Sequence, residues 1–468
     1  MEKTAERSAN KAVDSIQKCL TDYACELHYD DLSSDAIHAA KLRVIDTFGA
    51  LIAGFFGEPC RIARNLAAQM PDLGGATIIG TRMKVAPDLA AFVNATTARY
   101  PELNDIYHWP QSVHGHGSDA LMPILAGAEN ARVNGRDFIT AIVLAYEVSC
   151  RFSDVYPNRA FDPANFICLA TAMAVGKIKG LSPVQLSHAI SMAIVPNNML
   201  TQARLGHTSM FKAAASGHAG RAGVFAALLA QAGMEGPHLP FEGKAGWCEH
   251  IAGKHFSLNT MGGNGTPFKI LDTRIKNRAA SGGATSSILA AEKVAPINIR
   301  EVKQVTVEVY RYVYERYLNT PEEFRNPCSR ETADHSIPYT VAVTLMDGTV
   351  TLRSYDDAHL FNPQLRALMQ KIEVVENPEF TKAFEQVPVK ERVRVTVVTN
   401  SGERLVGETG GDPDDLSAPK SDAQIVNKFR GLTEDVMGTA RVNTILDCLW
   451  HLDELKDVAE IPPAFVLD

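Results

Sequence analysis

The hydrophobic pattern changes period once along the chain, from the spacing of helices to the alternation of strands. In the first half, apolar residues recur every three to four positions. Ser33, Ser34 and Asp35 are capping residues ahead of a helix whose Ile37, Val44, Phe48 and Leu51 share one face, and Gly54, Gly57 and Pro59 end it. ATIIGTRMKVAPDLAAFVNATTARY reads as a short extended piece and turn, then a helix from about Pro87. Further helices are predicted over 134–153, 163–180 and 182–196, introduced by Asn134-Gly135, Asp162-Pro163 and Ser182-Pro183. The segment 209–233 is the most apolar. Its Ala213, Ser216, Gly217, Gly220 and Gly223 allow close backbone approach to neighbouring helices, and the glycines, each costing roughly 1 kcal/mol, need such a packing reason.

Near 265–275 the texture changes. Val305, Val307 and Val309 alternate with polar residues, as do Val393, Val395 and Val397, and the second run turns at Asn400-Ser401-Gly402 into another strand. Between them, 363–372 reads as helix. SIPYTVAVTLMDGTVTL is ambiguous, because Asp347-Gly348 between β-branched residues favours a hairpin locally. The tail from 422 is helical again. The expected fold is mainly α: a large all-helical domain from both chain ends (1–271 and 412–468) with an inserted smaller α/β lid (272–411), and 410–421 as the clearest linker.

At 468 residues the chain is too long for one ordinary core. A net charge of -8 argues against a nucleic-acid partner, so an anionic ligand would need positive charge gathered locally. The eight cysteines never form CxxC, which disfavours zinc ribbons and iron–sulfur clusters and fits a reducing compartment. With no signal-like N-terminus and no long apolar run, a cytoplasmic protein without membrane contact is expected.

Candidate chemistry concentrates in PELNDIYHWPQSVHGHGSDALMP, residues 101–123, where Glu102, Asp105, Tyr107, His108, Trp109, His114, His116 and Asp119 crowd a largely loop segment. His114, His116 and Asp119 could ligate a metal, but no second histidine-rich segment completes such a set, and acid–base chemistry is the preferred reading. Lys212 is the one charge on the apolar run MFKAAASGHAG. It either snorkels to the surface or faces a cleft as a base or anion clamp; His218, on another face, reads as packing. Arg274, Lys276 and Arg278 precede a glycine- and serine-rich turn opening a helix, a place where backbone amides hold carboxylates. GGNG at 262–265 lacks the frame of a dinucleotide loop. Asp334, His335 and Ser336 are consecutive, which rarely presents a triad; His335 or Tyr339 entering a shared cleft is the better reading.

Taken together, LRVIDTFGALIAG, the ELND loop with its histidine, MFKAAASGHAGRAGVFAALLAQAGMEGP, FEGKAGW and ETADHSIPYTVAVTLMDG resemble the MmgE/PrpD family along the whole chain. The resemblance turns 337–347 from hairpin to helix. It implies a helical domain with an α/β lid, a homodimer, no cofactor, no metal, and a small anionic polycarboxylate as substrate. Carried over by position, Asp105, His116, Lys212 and Tyr339 are the implied catalytic residues. Arg278, Lys276, Tyr107, His114, His335 and Thr285 are the further candidates for substrate binding. The implied reaction is that of a 2-methylcitrate dehydratase-like lyase, with an epimerase of an iminodisuccinate-like acid or a cis-aconitate-type decarboxylase as alternatives. A metal-dependent hydrolase and a degenerate binding protein are the readings from other classes. Many family members carry an aromatic, a proline and a histidine where this chain has Arg278, Ala279 and Thr285, which counts against decarboxylation.

Overall fold

A computed structural model describes residues 13–467 apart from 111, 113, 157–159, 259, 320 and 413–414. The chain is mainly helical. Ser33 accepts a hydrogen bond from the Ala36 amide and opens the helix Ser34–Gly54. Asn134 and Ser182 cap Gly135–Val155 and Pro183–Ile194 in the same way. Each cap satisfies an amide that the first helical turn leaves unpaired.

The small residues of the helix Phe211–Gln231 have the packing role their cost demands. A Cβ on Gly217 would lie 2.5 Å from the Phe92 carbonyl oxygen, and one on Gly223 would lie 2.5 Å from that of Cys168. This helix therefore nests between Pro87–Arg99 and Ala164–Ile178. One apolar core joins these helices to the C-terminal helices Asp422–Met437 and Thr439–Trp450, and Phe465 stacks on Phe48 at 4.2 Å.

A second apolar core lies almost wholly within 279–397. Besides a small antiparallel pair, β1 (Pro71–Thr77) and β2 (Lys84–Val85), the chain forms a four-stranded sheet from β3 (Val302–Val309), β4 (Ile372–Glu376), β5 (Val393–Thr399) and β6 (Arg404–Thr409). The order is β4-β3-β5-β6, with β3 parallel to β4 and antiparallel to β5. The alternating valines of β3 and β5 are buried. Two local readings need correction. The helix begun at Pro363 ends at Met369, and Ile372–Glu376 is a strand; five residues directly after a helix are too few to declare their own period. Residues Ile337–Asp347 form a helix rather than a hairpin arm, as the family resemblance implied. Ser336 caps it and Gly348, at φ 93°, ends it.

Candidate active site

A cleft of about 60 Å³ opens between the 101–120 loop and the α/β part of the chain. The loop is held in place by its own backbone. Ile106 pairs with Arg274 and Tyr107 with Gly115 as isolated bridges, and Glu102 sits at φ 57°, a left-handed conformation unusual for glutamate.

The floor is a buried ion network. Glu102 accepts from Arg99 Nη1 at 2.7 Å and Lys276 Nζ at 2.9 Å, with Lys212 Nζ 3.2 Å away. Lys212 also donates to both carboxylate oxygens of Asp334, at 2.7 and 2.8 Å. Burial pushes both carboxylates toward protonation. Their surroundings overcome it: Arg99, Lys276 and Lys212 hold Glu102 well below the usual range, and the Lys212 charge with the hydrogen bond from His335 holds Asp334 below it. Burial lowers Lys276 to about 8. Asp119, within 3.7 Å of Arg99 Nε and accepting from Ser216, is pushed up to about 6, chiefly by burial.

Four imidazoles line the cleft, those of His108, His114, His116 and His335, and the partners of the last two fix their tautomers. His116 Nδ1 lies 2.6 Å from the Asp105 carbonyl oxygen and Nε2 lies 2.9 Å from Arg99 Nη2. A carbonyl only accepts and a guanidinium only donates, so the proton is on Nδ1 and the Nε2 lone pair is held by Arg99. His335 Nδ1 donates to Asp334 Oδ1 at 2.5 Å, which leaves Nε2, without a hydrogen-bond partner among the described residues, on the cleft side. Burial lowers both imidazoles, His116 well below its usual range and His335 to about 4, so both are neutral near pH 7.

The remaining walls favour anions. Arg99, Arg204 and Arg316 line the cleft, against the single carboxylate of Glu102. Ser281, Gly282, Gly283 and Ala284, the start of the helix Gly282–Glu292, line it too, and no side chain caps that helix. Its first amides are therefore available to a carboxylate.

The structure thus brings together some of the residues singled out in the sequence and separates others. His114, His116 and His335 line the cleft; Lys212 and Lys276 lie directly beneath, bonded to Glu102. Asp105 is fully buried, accepts from the Ser118 amide, and supports His116 through its carbonyl rather than facing the cleft. Tyr339, the expected lid donor, is buried in the α/β core, where its hydroxyl donates to the Ser354 carbonyl at 2.5 Å. Arg278 pairs with Glu292 in a separate surface groove. Tyr107 donates to Asp154, and Thr285 turns back to the Ala280 carbonyl. None of these four lines the cleft.

Arg99, Arg204 and Tyr312 were not anticipated. Arg99 did carry a signal: it is the lone cation on a helix of small and apolar residues. His114, His116 and Asp119 do not gather as metal ligands, being taken by Tyr312, Arg99 and Ser216. Among the described residues, the one set with ligand atoms close enough for a metal is Glu102, Asp334 and His335, within 4.8 Å of one another. The Lys212 ammonium bonds both of those carboxylates, so a cation already occupies the position a metal would take. Ser336 donates to the Phe324 carbonyl, so no Ser–His–Asp triad forms.

Fold and site define a class: mainly helical proteins that close a cationic, imidazole-lined cleft against a small α/β unit. The chain belongs to the MmgE/PrpD family, matching its N-terminal domain over residues 18–259 and its C-terminal domain over 280–453. It is 25% identical to a cis-aconitate decarboxylase of Aspergillus terreus, over 98% of this chain and 97% of that protein. Identity is 23% with the human cis-aconitate decarboxylase, over 91% and 89%. With the 2-methylcitrate dehydratase of Escherichia coli it is 25%, over 78% of each. The relatives are thus decarboxylases and dehydratases. Among the described residues no helix is long and apolar enough to cross a membrane.

Proposed function

We propose that the protein is a lyase of small di- or tricarboxylates, a dehydratase of the 2-methylcitrate type, working with its own side chains as acid–base and anion-binding groups. One observation carries the reading: a neutral imidazole oriented by a carboxylate, His335 on Asp334, faces a cleft lined by three guanidinium groups and an uncapped helix N-terminus. Arg99 and the amides of Gly282 to Ala284 hold substrate carboxylates. His335 Nε2 takes the proton next to one of them, and the resulting charge spreads onto carboxylate oxygens facing Arg99. The protonated His335 then returns that proton to the departing hydroxyl, so that water leaves and a carbon–carbon double bond forms.

A second reading is favoured by the two imidazoles on different walls, His116 from the loop and His335 from the α/β part. Were Arg99 to turn to a bound carboxylate, the His116 Nε2 lone pair it now holds would be freed, and two bases flanking one carbon suit an epimerase. A di- and tricarboxylate panel followed by NMR in deuterium oxide separates the two. Double-bond formation with loss of water is the dehydratase outcome; label entering an unchanged skeleton is the epimerase outcome. No turnover or exchange on any acid would sink both, and full activity in His335→Gln would remove the assigned base.

A further inference from the structure

The charged cleft does not end at its imidazoles. It continues past His114, Arg204, Tyr312, Arg316 and Phe324, which also line a second, roomier cavity of about 270 Å³. The groups that would perform the chemistry, Arg99, Glu102, His116 and His335, line the first chamber only. The second adds Phe161 and Leu205, and the surface it presents is mostly carbon.

Its wall is built rather than loose. Phe161 bridges Leu200, the Thr201 amide donates to the Ala160 carbonyl at 2.9 Å, and the Asp162 amide donates to that of Met199 at 2.8 Å. Arg204 is held at the junction by Asp162, at 2.5 Å from Nε. Ligand sites commonly enclose roughly 300–1,000 Å³; the charged chamber offers only about 60 Å³ of room and the second about 270 Å³, so a bound ligand extends into the second. Beyond the Arg204 and Arg316 junction the second chamber presents mostly carbon, with the Glu315 carboxylate on its wall, which suits an apolar group better than a further carboxylate.

We infer that the substrate is an acid with two ends: a polycarboxylate head in the charged chamber and an apolar alkyl substituent, longer than methyl, lying along Phe161, Leu205 and Phe324. The inference rests on the lyase reading for the head group. The tail follows from the second chamber alone.

A 2-alkylcitrate series (methyl, propyl, pentyl) with citrate as the unsubstituted member tests it. Both kcat/KM and, by calorimetry, Kd are measured on the wild-type protein. Each buried methylene is expected to improve both by roughly fourfold, since its burial is worth about 0.8 kcal/mol. In L205W, which fills the chamber from a half-exposed position, the pentyl-to-methyl ratio should fall toward one. Values that stay flat or worsen from methyl to pentyl, with citrate or methylcitrate turned over, overturn the inference and leave the lyase reading standing. Affinity that rises with chain length without turnover supports the apolar subsite and removes the lyase. Neither binding nor turnover by any member overturns both.

Discussion

His335 Nδ1 lies 2.5 Å from Asp334 Oδ1, although the two residues are neighbours in the chain. The pair works because Lys212 bonds the same carboxylate from the helical side, at 2.7 Å. The carboxylate stays ionised, fixes the imidazole tautomer and aims Nε2 at the cleft. A group that removes a proton in the transition state is typically worth 10²–10⁴-fold in rate. His335→Gln should therefore lower kcat by roughly 10²–10⁴-fold, with a small change in KM. Steady-state kinetics on a folded variant, verified by circular dichroism, checks this.

Lys212 carries a structural load distinct from any chemical one. It lies between Glu102 and Asp334, and all three are almost fully buried. Removing one partner of a buried ion pair leaves its counter-charge unpaired, which costs about 3–5 kcal/mol. Lys212→Met is expected to lower the unfolding free energy by that order, read from the fall in the urea midpoint. Adding Asp334→Asn should recover part of the loss without restoring activity, because the imidazole loses its ionised partner.

The central helix makes a prediction about packing. Gly217→Ala would place a methyl group 2.5 Å from the Phe92 carbonyl oxygen and 2.3 Å from Thr96 Oγ1, both on the helix that ends in Arg99. Backbone cannot move aside cheaply in a close-packed core, and overpacking costs typically about 1–3 kcal/mol. Thermal unfolding should show the loss. A weaker substrate affinity is expected with it, since displacing this helix displaces Arg99.

Which parts of this arrangement were legible in the sequence follows from what each signal encodes. The valine alternation of β3 and β5 and the glycine-rich helix were readable because period and composition report burial directly. Ile372–Glu376 was not, because its pairing with β3 is set by tertiary contact. In the site, His116 and Lys212 stood out as polar groups in segments where apolar or loop character made them anomalous. Arg204 carried no such mark; only folding brings it beside the cleft. Tyr339 and Arg278 show the converse. Position along the chain places a Cα, whereas the Ser354 carbonyl and the Glu292 carboxylate decide where those side chains go. Arg278→Ala should accordingly leave kcat/KM unchanged and cost at most about 1 kcal/mol of stability, as part-exposed ion pairs do.

The two shifted groups in the site set a pH profile that differs from that of an ordinary histidine enzyme. His335 accepts a proton only when neutral, and burial together with Lys212 lowers its pKa to about 4. The rising limb of kcat/KM therefore falls near 4, well below the unperturbed histidine value of about 6.5. Lys276 is a cation below its pKa, which burial lowers to about 8. As pH rises through 8 it loses its charge, Glu102 loses one of its counter-ions, and the cleft attracts a polycarboxylate less strongly. A bell with limbs near 4 and 8 is expected for kcat/KM. Lys276→Met should remove the upper limb and lower kcat/KM throughout. A rising limb that stays near 6.5, or an upper limb that survives in Lys276→Met, would detach these residues from the reaction.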